Sequence, residues 1–363
     1  MIILKKIKNI KFRFNFIFKI IKSRLIGFFW SKKNYSVLFY LPSDHEIVSG
    51  GILSIFFLHE ETKKKFPDSV VEIIFMNRNS KVREYKWFSN DVKIKNIFFE
   101  RHYISGSNQI LIHVPEVYIS KFKFEWEKNG LTKFNNKTII NILNQNNKLM
   151  PNPDDVFLNL KEFKRITMTL AFIRNLERCK INFPNLDIFV LSAWFYKTTY
   201  QIIPFEQKTD LILISPDAHS DKQAILDELN KCEGLEIFEM NKLPYEKFLE
   251  IQKRAKWTIT FGEGYDNYFQ GAYLTGGIGF SVYNEEFFNS DFENNKFPQI
   301  VFKSYSDLRE NICNSINLYN SKIKYDSLSQ EIRTLVLKNN NEDIVRSNLH
   351  NYYNNIYLFN NLK

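Results

Sequence analysis

Between residues 210 and 283 short β-prone runs alternate with stretches of helical periodicity. Segments 210–215, 235–239, 257–261 and 278–283 read as strands, and 221–231, 245–255 and 266–274 as helices. Strands that alternate with helices imply a parallel sheet, and a parallel sheet needs helices on both faces. The class that satisfies this is α/β.

A less regular version of the pattern precedes it. Residues 36–41 form a charge-free β-prone run, followed by a polar loop and a helical pattern opening at Gly50 and Gly51. Further strands are expected over 70–76, 92–99 and 109–114, the last stopped by Pro115 and the second weakened by Lys93 and Asn96. Residues 138–143 read as a strand, whereas 166–176 fit strand or helix. The asparagines at 144, 146 and 147 mark a loop. At 363 residues the chain exceeds what one core serves, since domains run about 100–200 residues. Two lobes are therefore expected, 35–205 and 206–330, divided near Pro204. Beyond Tyr305 the pattern is helical, over 307–319, 327–337 and 341–361.

The net charge of +10 is confined to the N-terminus. Residues 1–34 hold ten Lys or Arg and no acid, and the remaining 40 basic residues equal the 40 acidic ones. Ile3, Ile7, Ile10, Phe14, Ile17, Ile21, Leu25 and Phe28 follow at steps of three and four, giving an apolar helical face opposite the cations, although Phe12, Phe16 and Ile20 fall on the polar side. Such a basic amphipathic helix is expected to rest on an anionic membrane surface, each cation near it adding about 1 kcal/mol. A basic patch spread over a folded face would suit nucleic acid, and no nucleic-acid signature is present. No run of about 18 uncharged apolar residues occurs, nor a secretory signal. The expectation is a cytoplasmic protein, peripheral on the inner face of the cell membrane. Cys179, Cys232 and Cys313, odd in number and far apart, read as buried or free thiols in a reducing compartment.

Ligands of open α/β sheets collect beyond the carboxyl ends of strands. The richest such loop holds Gly262, Glu263, Gly264, Tyr265 and Asp266, followed after a short helix by Gly276 and Gly277. Glycine admits a close ligand, a helix N-terminus offers N–H groups to phosphate, and Glu263 or Asp266 can accept from hydroxyls. After the first strand of the second lobe comes a loop whose only cation is Lys222. In the first lobe, Asp44, His45 and Glu46 lead to Gly50 and Gly51. His113 and Glu116 flank the end of the 109–114 strand, where a histidine can relay a proton and a carboxylate can act as base.

With these residues in place the chain resembles the glycosyltransferases of the GT-B fold, of the bacterial surface-polysaccharide type. Their second lobe carries a Gly-Glu-Gly-aromatic loop, a short helix and a Gly-Gly turn. The resemblance implies two Rossmann-like lobes with a cleft between them, preceded here by the basic N-terminal helix. It also implies C-terminal helices, 331–363, that cross back to the first lobe. It places Gly50, Gly51, Lys222, Gly262, Glu263, Gly264, Tyr265, Asp266, Gly276 and Gly277 about a nucleotide-sugar donor. His113, Glu116, Asp44 and His45 then become the catalytic candidates facing a lipid-linked or saccharide acceptor, as in capsule or lipopolysaccharide assembly. A second glutamate eight positions after the first, common in retaining members, is replaced by Gly271, so the stereochemical outcome stays open.

No acidic pair stands in a loop suited to a divalent ion, Asp154 and Asp155 reading as a cap. The expected transfer needs neither metal nor cofactor. Signatures of serine hydrolases (GxSxG), P-loop enzymes and HExxH metalloproteases are missing, and Asn267 occupies the third glycine position of a dinucleotide fingerprint. Two alternatives remain, a non-catalytic partner with the same fold in a polysaccharide-synthesis complex and a nucleotide-sugar epimerase.

Overall fold

The computed structural model describes residues 18, 21, 35–42, 50–76, 83–84, 91–98, 100–192, 200–241, 243–340 and 342–355. Asp44, His45 and Glu46 lie outside the described residues, as does all of the basic leader except Phe18 and Ile21, which are helical and exposed.

The first lobe runs β1 (Tyr35–Tyr40), α1 (Gly50–Lys65), β2 (Val70–Phe75), β3 (Arg83–Glu84), β4 (Lys93–Asn96), α2 (His102–Ser105), β5 (Gln109–Pro115), α3 (Ile119–Lys128), β6 (Thr138–Asn144), α4 (Pro153–Leu160), β7 (Arg165–Leu170), α5 (Leu176–Asn182) and β8 (Asp187–Val190). Its sheet has the order β3-β4-β2-β1-β5-β6-β7-β8, parallel except for the edge strand β3. Alternation along β1 sends Val37, Phe39 and Leu41 to one face, where α1 packs. Leu38 and Tyr40 go to the other, under α3 and α4. The ambiguous segment 166–176 resolves into a strand, then a 3-10 turn at Ile173–Asn175 that leads into α5. Asp154 and Asp155 sit in the first turn of α4, behind the Asn152 cap and Pro153.

The second lobe runs β9 (Thr209–Ile214), α6 (Lys222–Leu229), β10 (Glu236–Glu239), α7 (Tyr245–Arg254), β11 (Ala255–Ile259), α8 (Asn267–Leu274), β12 (Ile278–Val282), β13 (Val301–Phe302), α9 (Tyr305–Tyr319) and α10 (Lys322–Asn339). Its parallel sheet has the order β10-β9-β11-β12-β13. Phe248 and Leu249 of α7 cover Leu211 and Leu213, while Trp257, Phe269, Phe280 and Tyr325 belong to the larger core. Two parallel α/β lobes are therefore present.

The chain returns to the first lobe later than position 331. Tyr325, Leu328, Ile332 and Val336 of α10 are packed in the second-lobe core, and Tyr325 Oη donates to Lys256 O at 2.8 Å. The crossing element is α11 (Glu342–Asn355). Its Val345, Leu349, Tyr352 and Tyr353 enter the first-lobe core, and Arg346 pairs with Glu61 of α1.

The cysteine expectation is overturned. Cys232 and Cys313 form a disulfide with Cα atoms 6.0 Å apart, tying the turn after α6 to α9, and only Cys179 is a free, buried thiol. A separation of 81 positions concealed the pair in the sequence, and its presence removes the compositional argument for a reducing compartment. Among the described residues no helix is long and apolar enough to cross a membrane.

Candidate functional site

Among the parallel strands of each lobe the order reverses once, between β1 and β5 in the first and between β9 and β11 in the second. The loops leaving those strands open a crevice at their carboxyl ends. In the second lobe Phe261 N donates to Ser215 Oγ at 2.9 Å, joining the loop after β11 to the loop after β9. Gly262 lies against Asp217, whose carboxylate would stand 3.0 Å from an added Cβ. Gly264 has φ +89°, and a Cβ there would meet Val282 O at 2.9 Å. That position requires glycine to turn the chain back onto β12.

A cavity of about 350 Å³ opens beside this turn, lined by Gly262, Val282, Tyr283, Asn284, Glu285 and Tyr305. Tyr305 stacks on His219 with ring centroids 3.7 Å apart and lies parallel to Phe261 at 5.9 Å. The sequence reading did not select Asp217, Tyr283, Asn284, Glu285 or Tyr305. Extending the carboxyl-end rule to β12 and β13 finds the last four.

The first lobe approaches through the loop after β6. Asn146 N donates to Glu116 Oε1 at 2.9 Å, and Asn146 Nδ2 donates to Glu263 Oε1 at 2.6 Å across the crevice. Next to it Gln145 Nε2 donates to Gly51 O at 3.1 Å, at the start of α1. Gly51, Glu116 and Glu263 are thus linked in space, with Gly50 exposed beside them and open space where its Cβ would be. On the flank, Arg178 meets Glu286 at 3.1 Å, Arg174 pairs with Glu293 and donates to Glu285 O at 3.2 Å, and the Phe172 and Phe287 rings make an edge contact.

Burial dominates the electrostatics. Glu116 is 3% exposed and its carboxyl is pushed up to about 7, against the opposing effect of backbone N–H donors from Glu116, Asn146 and Gln145. Glu263 is also raised to about 7, by burial first and then by Asp266, Asp217 and Glu116, with Asn146 opposing. Burial lifts Asp266 to about 6, offset by Thr260 and the backbone of Phe269 and Tyr268.

Several expected site residues have other employment. His113 is 1% exposed, stacks on Phe39 at 4.5 Å, and is enclosed by Tyr352 and Tyr353 of α11. Its Nδ1 accepts from Asn141 Nδ2 at 2.9 Å and its Nε2 faces Tyr353 Oη at 3.3 Å, while burial lowers its pKa to about 3. It is a neutral core residue, because β5 turns position 113 toward α1 and α11 and away from the crevice. Tyr265 is 5% exposed and packs among Phe269, Phe288 and Phe292. Gly276 and Gly277 follow α8 and precede β12, so they lie at the amino ends of the strands, opposite the crevice. Gly276, with φ +79°, lets Ile203 O approach instead.

Asp266 caps α8 by accepting from Tyr268 N and Phe269 N at 2.8 and 3.2 Å, so these N–H groups are taken up by the cap and do not face a phosphate. Lys222 Nζ donates to Ser215 O at 2.8 Å, Asp217 O at 3.3 Å and Glu239 Oε1 at 3.1 Å. Its three donors brace the loop after β9. Among the described residues, no group of three His, Cys, Asp or Glu side chains has an arrangement that could hold a metal ion.

No protein-family model matches the sequence, and no curated protein matches it. Solved structures do match. An E. coli trehalose-6-phosphate structure bound with UDP-2-fluoro glucose shares 8% identity at a TM-score of 0.53, covering 88% of this chain and 98% of the other. A trehalose-6-phosphate synthase gives 10%, 0.52, 89% and 99%, and the one from Burkholderia multivorans 8%, 0.51, 89% and 97%. The chain spans 58% of the matched chain in a structure of accessory secretory protein 1,2 and 3 from Streptococcus pneumoniae, at 11% identity, a TM-score of 0.44 and 73% coverage of this chain. At such identities the likeness is one of fold, and the fold is the two-lobed GT-B architecture.

Proposed function

We propose that this chain is a glycosyltransferase that moves a sugar from a nucleotide-sugar to a membrane-associated acceptor, lipid-linked or saccharide, without a metal. The observation that carries the reading is the meeting of Glu116 and Glu263 through Asn146, one carboxyl from each lobe, at the carboxyl ends of both sheets and beside the cavity at Gly262. The donor occupies the cavity lined by Tyr283, Asn284, Glu285 and Tyr305. Glu116 is the general base, its raised pKa suiting it to accept a proton near neutrality. The acceptor oxygen attacks the anomeric carbon as its proton passes to Glu116. The bond from that carbon to the diphosphate breaks, and the nucleoside diphosphate leaves with the electron pair. Glu263, also raised to about 7, is neutral for part of the time and donates a hydrogen bond to the diphosphate. Asp44 and His45 meet the acceptor, and residues 1–34 hold the enzyme on the inner face of the cell membrane.

One observation favours a non-catalytic partner of the same fold. The crevice carries Asp217, Glu263, Asp266 and Glu116, whereas Lys222 is committed to its own loop. That is a poor setting for a diphosphate unless carboxyls are protonated. A nucleotide-sugar panel with lipid-linked acceptor separates the readings. Release of nucleoside diphosphate supports transfer, binding without turnover supports the partner, and sugar interconversion without acceptor marks an epimerase. Deleting residues 1–34 should release the protein from anionic liposomes, and retained binding would remove the leader as the anchor.

A further inference from the structure

Asn146 bridges the two carboxyls of the proposed site, yet the sequence marks it only as one asparagine in a loop. Its local role is ordinary. Its Oδ1 accepts from Lys148 N at 3.0 Å, capping the 3-10 turn Asn147–Leu149. That bond has a consequence for the rest of the carboxamide. With the oxygen turned inward to its own loop, the amide nitrogen is aimed outward and donates to Glu263 Oε1 at 2.6 Å, while the main-chain N–H of the same residue donates to Glu116 Oε1 at 2.9 Å. One residue therefore holds a carboxyl of each lobe. Its loop is fixed from the first lobe by Gln145, which donates to Gly51 O at 3.1 Å, and Lys148 reaches toward Glu286 of the second at 3.6 Å.

We propose that Asn146 is the positioning residue of the crevice, setting Glu116 against Glu263 through one hydrogen bond to each. The inference rests on the transferase reading given above. The groups facing Glu263 are the acids Asp266, Asp217 and Glu116, with Asn146 as the hydrogen-bond donor among them. Glu116 is met by the backbone N–H groups of Glu116, Gln145 and Asn146. Removing the amide donor leaves Glu263 among like charges, and its proton is then held more tightly.

Aspartate is the informative replacement, because it caps the turn as well as asparagine does but presents an acceptor where the amide donated. In Asn146→Asp the alkaline limb of the kcat profile, which follows the neutral fraction of Glu263, should move up by about one pH unit, and the thermal midpoint should fall at pH 8 but not at pH 5. A wild-type profile in Asn146→Asp, with lost stability in Asn146→Ala, reduces the residue to a cap and overturns the proposal. Should the wild-type chain turn over no donor, the transferase reading fails by itself. The positioning claim is then read without turnover, from the 13C carboxyl titration of glutamate-labelled protein, with Glu263→Gln as the assignment control. A Glu263 midpoint raised in Asn146→Asp supports it, and an unmoved midpoint overturns it.

Discussion

Replacing Glu116 with glutamine should stabilise the first lobe in a pH-dependent way while removing the proposed base. The carboxyl is 3% exposed, and burial raises its pKa from the ordinary 4.5 to about 7. A carboxyl raised by folding is easier to keep protonated in the native state than in the unfolded chain. Its cost is therefore absent below pH 4.5, builds through the window up to about 7, and is complete above it. Roughly 2.5 pH units at about 1.36 kcal/mol each gives about 3 kcal/mol at pH 8. This is an upper figure, because glutamine brings an NH₂ group that also needs a partner. The assay is urea unfolding of wild type and Glu116→Gln between pH 5 and 8.5. The stability difference should be small at pH 5 and grow toward the alkaline end. A difference that is flat with pH would refute the claim that an ionisable group is buried there against its preference, whatever happened to activity.

Gly264→Ala forces a Cβ into a left-handed turn 2.9 Å from Val282 O. It should cost on the order of 1–3 kcal/mol and lower the second lobe's thermal midpoint, as followed by calorimetry. Thiol titration of the denatured, unreduced protein should find one reactive cysteine, Cys179, and reduction should raise the count to three and lower second-lobe stability by about 2–4 kcal/mol. His113→Phe should lower the thermal midpoint, because it takes the acceptor from one N–H of the Asn141 amide in the core, yet leave the pH profile of turnover in place.

The alternation over 210–283 was legible because parallel strands buried on both faces leave continuous apolar runs, and β9, β11 and β12 fall within a residue or two of the expected bounds. Short edge elements were not. Strand β3 has two residues, and β8, Asp187–Val190, is only half buried, so neither leaves a periodic signal. At the candidate site, the rule of carboxyl ends selected Glu116 and the loop at Gly262, which the structure brings to one crevice. The same rule and the resemblance also pointed to His113, Tyr265 and Gly276, which the fold turns into the core or into a tight turn. A histidine, an aromatic and a glycine pair are as useful to a core or a tight turn as to a ligand, and the direction of each side chain is set by pleat and helix phase. Asn146 was illegible as a site residue because its partners lie 30 and 117 positions away.

If the chain is a transferase, the crevice between Gly262 and Glu116 takes a nucleotide-sugar. A crystal structure of the chain with a nucleoside diphosphate tests it most directly. Density is expected in the cavity at Tyr283, Asn284, Glu285 and Tyr305, with the phosphates directed past Gly262 toward Glu263 and Glu116. A crevice without nucleotide at saturating concentration, or nucleotide bound elsewhere on the protein, would contradict it.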